Sequence, residues 1–300
     1  MKAEEYYHTL KNHLRKNGHA FPGTGLNGRS AIVIFMFEYY RISSDTEAYN
    51  YGIELLETEL NEINLITNIS LYDGLCGIGW AVQYLSKENM IDLDADTYLS
   101  QYIEKHLEKF RDSQINFTHP IQLEYLSDLL FYFATRFSFT RRKLQKKKYS
   151  NILNQIFIIL HNQFLQIEKY HSLQHLSFEN IFPVVRACIY AYEIGFKSPL
   201  IPVLLRKALS WLKDLKTQKK QTVFEQYILK KATKYVSSST HTAGNYTIKS
   251  KIPENNAETE QHITGIWNTS ITHNLIQNMI ALNPEKDLGL EYILEYQYNS

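Results

Sequence analysis

The tetrad Gly25-Leu26-Asn27-Gly28 returns 49 residues later as Gly74-Leu75-Cys76-Gly77, and this repeat constrains the fold more than any other feature of the chain. At the same offset Val33 matches Val82, Phe35 matches Tyr84, Asp45 matches Asp94 and Tyr49 matches Tyr98. The likeness therefore runs through a whole helix and into its connection. A unit recurring at roughly 40 to 50 residues is the signature of stacked or circularly arranged supersecondary units.

Each copy reads as a helical hairpin. Ala31 to Tyr40 is apolar with scarcely a polar break, and a helix apolar all round is buried on every side, which predicts an inner helix. Thr46 to Ile63 then sets Tyr49, Ile53, Leu56 and Leu60 at helical spacing, with Glu47, Glu54, Glu57, Glu59 and Glu62 between them. That pattern predicts one apolar stripe and one wet face. The second copy repeats it with Ile78 to Leu85 inside. Its outer helix is expected to turn Tyr98, Tyr102, His106 and Phe110 to the core and Glu104, Lys105, Glu108 and Lys109 to water. The glycines three apart lie on one face of the first inner turn, where a missing Cβ admits another backbone or a ligand.

Beyond the second copy the glycines vanish but the alternation of apolar and amphipathic segments continues. Inner helices are predicted at 28–40, 77–86, 123–137 and 181–194, with outer partners at 151–164 and 202–215 for the last two. A shorter amphipathic helix is expected over 223–235. Ser237 to Gln261 is rich in Ser, Thr and Asn without apolar periodicity, and reads as a long polar loop. Gly265-Ile266-Trp267 opens a last expected pair, 270–282 and 288–296. Hairpins that bury each other's faces make one continuous unit, so a single all-α domain over 1–300 is expected.

Charge and composition exclude several classes. With 32 basic and 31 acidic residues the net charge is +1, which gives no general attraction to nucleic acid. The run Arg141-Arg142-Lys143-Leu144-Gln145-Lys146-Lys147-Lys148 reads as a solvated connection between helices; an acidic or peptide partner is its other reading. The opening Met1 to His8 lacks the apolar segment of a secretory signal and no run reaches the ~18 apolar residues of a membrane span, so a cytoplasmic location without membrane insertion is expected. Cys76 and Cys188 alone define no disulfide framework or thiolate-rich metal site. His171 and His175 share the i, i+4 spacing that puts two imidazoles on one helix face, but lack the Glu of a His-Glu-x-x-His site. His119, His241, His262 and His273 read as surface or loop residues. Asp73, just before an inner helix, reads as its N-cap, and Asp94 and Asp96 read as caps of the next outer helix.

Two segments carry a resemblance. HAFPGTGLNGRSAIVIFMFEYY, residues 19–40, and SLYDGLCGIGWAVQYLSKENMIDLDADTY, residues 70–98, resemble the first two hairpin units of lanthionine synthetase C-like (LanC-like) proteins, the cyclase family of ribosomally made, modified peptides. The likeness is clear over 19–110. It implies an α/α toroid, with inner helices ringed by antiparallel outer ones. It also implies work on a precursor peptide, or beside a modification enzyme, in lanthipeptide-type biosynthesis. Helical glycoside hydrolases share that architecture, so the fold by itself does not assign the chemistry.

Active members of the family hold zinc through two cysteines and a histidine, supplied by Trp-Cys-x-Gly-type and Cys-His-Gly motifs. Neither motif occurs here: Cys76 sits inside a Gly-Leu-x-Gly turn, and Cys188 in an apolar helix before Ile189-Tyr190. No zinc and no other cofactor are therefore expected, and Cys188 reads as a small buried hydrophobe. The expected role is a zinc-free peptide-binding or accessory subunit. Its ligand is expected at the end of the inner helices where Gly25, Gly28, Asp73, Gly74 and Cys76 converge, drawn to helix N-termini. The alternative is a toroid enzyme doing acid/base work with Asp73 and a histidine, for which no second carboxylate can be paired from sequence.

Overall fold

A computed structural model of the chain describes residues 7–8, 10–12, 23–113, 121–169, 176–215 and 223–240, and every regular element among them is helical. Ten α-helices are described: α1 Arg29–Ser43, α2 Thr46–Asn61, α3 Leu75–Lys87, α4 Ala95–Tyr102, α5 Glu104–Ser113, α6 Ile121–Phe139, α7 Lys143–Lys169, α8 Phe178–Glu193, α9 Leu200–Asp214 and α10 Val223–Thr240. Short 3-10 turns lie at Gly25–Asn27 and Ile63–Leu65. The all-α fold expected from the repeat is thus observed. The described residues up to Asp92 form one compact unit and those from Leu93 onward a second.

In the first unit α1 packs on α2 and on α3. Ser44, in the left-handed region at φ 58°, ends α1, and Asp45 opens α2 by accepting the N–H of Glu47 at 2.9 Å. Consecutive residues Gly28 to Phe37 in α1, and Leu75 to Gln83 in α3, are buried, as predicted for inner helices. Tyr84 on α3 donates its hydroxyl to Glu38 on α1, and Tyr7 stacks on Tyr39 with ring centroids 4.4 Å apart.

The outer helix departs from expectation in phase. Ala48, Gly52, Leu55, Leu56 and Glu59 are the buried positions of α2, while Tyr49, Ile53 and Leu60 are only half-buried. Gly52 explains the rotation: a Cβ there would lie 3.1 Å from the Phe37 ring, so this face approaches α1 most closely.

In the second unit α6 packs against both α7 and α8, and α8 against α9 and α10. Leu126 to Arg136 of α6 and Val184 to Ala191 of α8 are buried without a break, again as predicted for inner helices. Phe131 stacks on Tyr190 at 4.5 Å, and Phe164 of α7 meets Trp211 of α9 at 4.6 Å. Ser177 and Asn180 form a reciprocal capping box that starts α8 three residues before the expected position.

Four further expectations are corrected here. The second outer helix is two helices, α4 and α5, parted at Ile103, and it buries Ala95, Leu99, Ile103 and Leu107 rather than the Tyr98 series. Asp94 does cap α4, accepting from Thr97, but Asp96 instead pairs with Arg136 at 2.9 Å and accepts from Thr140. The basic run is only partly a connection, since Lys143 to Lys148 form the first turns of α7. Ser237–Thr240 continue α10 rather than opening the polar loop. The remainder of that loop, the helices expected at 270–282 and 288–296, and His119, His171, His175, His241, His262 and His273 lie outside the described residues.

Candidate functional site

The two glycine turns touch each other. Leu26 N donates to Leu71 O at 3.3 Å, and Thr24 Oγ1 donates to the Asp73 carbonyl at 2.9 Å. Gly25 sits at φ +66°, where L side chains are strained, and a Cβ added to it would lie 2.7 Å from both Gly74 N and Tyr72 O. At Gly77 the Cβ would come within 2.0 Å of Leu71 O and 3.0 Å of Gly25 Cα. Gly74 and Gly28 are equally enclosed, by Asn68 O at 2.2 Å and by Gly23 C at 2.5 Å. Missing side chains here serve backbone against backbone.

The two copies use the tetrad in different phase. In the first, Gly25 opens a 3-10 turn and Gly28 is the N-cap of α1; in the second, Gly74 is already the N-cap and Gly77 lies inside α3. The cap of α3 has no side-chain hydrogen bond, so Asp73 is not the N-cap that its position suggested. Its own N–H donates to Ser70 Oγ at 2.9 Å and its side chain reaches the exposed surface. The first helix donors are satisfied by the preceding loop, Leu75 N to Asn68 O at 3.0 Å and Cys76 N to Ile69 O at 3.3 Å. Gly25, Gly28, Asp73, Gly74 and Cys76 do lie in one neighbourhood, with Asp73 and Asn68 at its exposed rim and Cys76 fully buried.

Beneath these turns lies a carboxylate that the sequence reading put on the wet face. Glu59 of α2 is 0% exposed, accepts the Gly25 N–H at 3.1 Å and the Ser30 hydroxyl at 2.7 Å. Burial pushes its pKa up to about 7, against the hydrogen bonds from Ser30 and Gly25 and the charge of Arg29, all of which favour the anion. Arg29 itself pairs with Glu62. The only sequence signal was position: Glu59 follows Leu55 by four and Gly52 by seven, in line with the buried stripe.

The second unit holds a comparable acid. Glu104, also expected in water, is 0% exposed and receives Arg136 Nε at 2.9 Å, Tyr149 OH at 2.8 Å and Lys148 Nζ at 3.2 Å. On the facing inner helices Asp128 and Arg186 form a buried ion pair at 4.0 Å, with Arg186 over the Phe131 ring.

The metal chemistry that a Cys/Cys/His site needs is poorly matched by these residues. Cys76 and Cys188 are both 0% exposed, one in each unit, and burial drives the Cys188 thiol well above its ordinary range, away from the thiolate that binds zinc. Among the described residues no three His, Cys, Asp or Glu side chains are placed to hold a metal ion.

The family described as "Lanthionine synthetase C-like protein" matches residues 20–178. The chain belongs to the LanC-like family. The match reaches well past the 19–110 segment where the likeness is plainest, taking in α6 and α7 and ending at the first residue of α8. Its helices alternate between one buried all round and an amphipathic partner, the repeating unit of the LanC-like α/α fold. No curated protein and no solved structure matches. No helix among the described residues is long and apolar enough to cross a membrane.

Proposed function

We propose that this LanC-like chain works in lanthipeptide-type peptide modification as a zinc-free peptide-binding or accessory subunit in the cytoplasm. One observation carries the reading: the chain has a LanC-like sequence, yet both of its cysteines are sealed in helix packing as small hydrophobes. A cyclase must deliver thiolates to a metal with one open position. Neither thiol is exposed to meet such a metal, and burial keeps the Cys188 thiol protonated.

The ligand is assigned to the rim of the joined glycine turns. Because the N–H groups of Leu75 and Cys76 are bonded to loop carbonyls, recognition there falls to the exposed Asp73 carboxylate, which suits peptide N–H groups or a cationic side chain. The glycines Gly25, Gly28 and Gly74 set the rim's shape from below. Binding of a precursor peptide encoded nearby, measured by titration calorimetry with the parent and Asp73→Asn, tests this. The expected result is a loss of about tenfold, the worth of one charge-assisted hydrogen bond, with an unchanged melting temperature. Unchanged binding removes Asp73 from the site, and absence of any peptide partner turns the case toward acid/base chemistry.

A further inference from the structure

Helix α7 has an outer face unlike that of its neighbours. Its inner face is filled by Tyr149, Leu153, Ile156, Phe157, Leu160 and Phe164, all buried. Outside, Leu144 is 85% exposed, Ile158 52% and Leu165 46%. Together with Asn151 these positions form a heptad series, 144, 151, 158 and 165, so they make one gently slanting line ~30 Å long on the helix surface. The flanking exposed residues include Asn154, Gln155 and Asn162.

Charge on this helix is one-sided. Across Lys143–Lys169 the sole acid is Glu168, and it is paired with Lys207. At the other end Arg141, Lys143 and Lys147 are exposed and have no ion-pair partner among the described residues. Arg142 and Lys148 differ, being held by Asp94 and by Glu104 and Glu108. An open groove lined by Arg142, Lys143, Leu144, Gln145 and Lys148 joins the cationic end to the start of the apolar line.

We propose that this face docks an acidic amphipathic helix of a partner protein, which lays its apolar side chains along Leu144, Ile158 and Leu165 and sets carboxylates against Arg141, Lys143 and Lys147. Single-file apolar residues seven apart, interleaved with amides, match the narrow seam by which one helix receives another. A lipid surface is the poorer fit, since interfacial helices present a broad apolar face with aromatic residues, and none of the exposed residues of this line is aromatic. A second copy is poorer too, because α7 offers no unpaired acid to meet its own lysines. The proposal is independent of the peptide site at Asp73.

The probe is a synthetic acidic amphipathic peptide of three heptads, with Leu at its a and d positions and Glu elsewhere, beside a scrambled peptide of the same composition. Binding to the full chain is followed by fluorescence anisotropy at low and high salt. The expected result is micromolar binding of the patterned peptide only, weakened by salt. Two variants, Ile158→Asp with Leu165→Asp and Lys143→Glu with Lys147→Glu, should each weaken it at least about tenfold, whereas Asp73→Asn leaves it unchanged. Circular dichroism and melting temperature should stay at parent values, because all four side chains are solvent-facing. Equal binding of the scrambled peptide, or binding indifferent to both variants, overturns the proposal. So does a dimer of the parent that Ile158→Asp dissolves, which would make a second copy the occupant, or displacement of the peptide by phosphatidylserine vesicles, which would make it a membrane.

Discussion

Glu59 accepts the backbone N–H of Gly25 across 34 residues of sequence, at 3.1 Å and out of reach of water. The outer helix of the first hairpin thereby pins the turn that starts its own inner helix. The same carboxylate holds Ser30 in the first turn of α1, so one side chain fixes both the glycine's position and the direction of the helix that leaves it.

Its titration gives a signed prediction. The folded carboxyl is held up to about 7 by burial, above its ordinary value of 4.5. The folded state therefore binds more protons than the unfolded one between those values, and the stability that Glu59 contributes is full below about 4.5 and is lost as pH rises through 7. Glu59→Gln imitates the protonated form without titrating. Melting temperatures of parent and variant measured from pH 5 to 8 should show the variant gaining relative to the parent as pH rises, by the order of 1–3 kcal/mol in all. A relative loss with rising pH would contradict the assignment.

Removing the acceptor altogether is a different experiment. Glu59→Ala leaves the Gly25 N–H and the Ser30 hydroxyl without their partner inside the unit, which costs about 1–3 kcal/mol for each stranded group. Chemical denaturation should therefore show Glu59→Ala as far less stable than Glu59→Gln at pH 5, where the two parent-like forms differ least. Equal stability of the two variants would show that the buried hydrogen bonds contribute nothing.

The glycine contact can be isolated with a control. Gly25 and Gly195 both have positive φ, +66° and +81°, but a Cβ at Gly195 meets nothing within 4 Å while one at Gly25 runs into Gly74 and Tyr72 backbone. Gly195→Ala should cost only the left-handed strain of about 1–2 kcal/mol. Gly25→Ala adds overpacking against backbone that cannot move aside, for a further 1–3 kcal/mol or so. Similar denaturation midpoints for the two would mean that the turns do not truly touch.

The inner helices were plain in the sequence because their signal does not depend on phase: when every face is apolar, any rotation predicts burial. Outer helices lack that insurance. In α2 and in the consecutive helices α4 and α5 a buried acid, Glu59 or Glu104, occupies a core position and a glycine or alanine occupies others, so larger side chains such as Tyr49 and Tyr98 mimic an apolar stripe that lies one position away. Arg136 was hidden in the same manner, a fully buried cation within the apolar run of α6. At the candidate site the repeated glycines declared a close approach, but not that Leu71 and Tyr72 would be what approaches, since a loop carbonyl has no sequence signature.

The Glu104 cluster predicts a large effect far from the glycine turns. Arg136→Met should destabilise the protein by about 3–5 kcal/mol, because it takes from the buried Glu104 its closest cation and leaves it to the Tyr149 and Ser100 hydroxyls and the half-exposed Lys148. Glu104→Gln in the Arg136→Met background should recover part of that loss by removing the stranded charge. Denaturation of the single and double variants checks both; a double variant no better than the single would place the loss in packing rather than charge.

Zinc content tests the central claim most directly. The full chain, purified without chelators and exposed to excess zinc before desalting, should retain well under one metal ion per chain by elemental analysis, because a lasting site needs three or four accessible ligands and both thiols here are buried. Cys76→Ala and Cys188→Ala should give the same value as the parent. One zinc held per chain and lost in Cys76→Ala would contradict the account and return the chain to the metal-dependent members of its family.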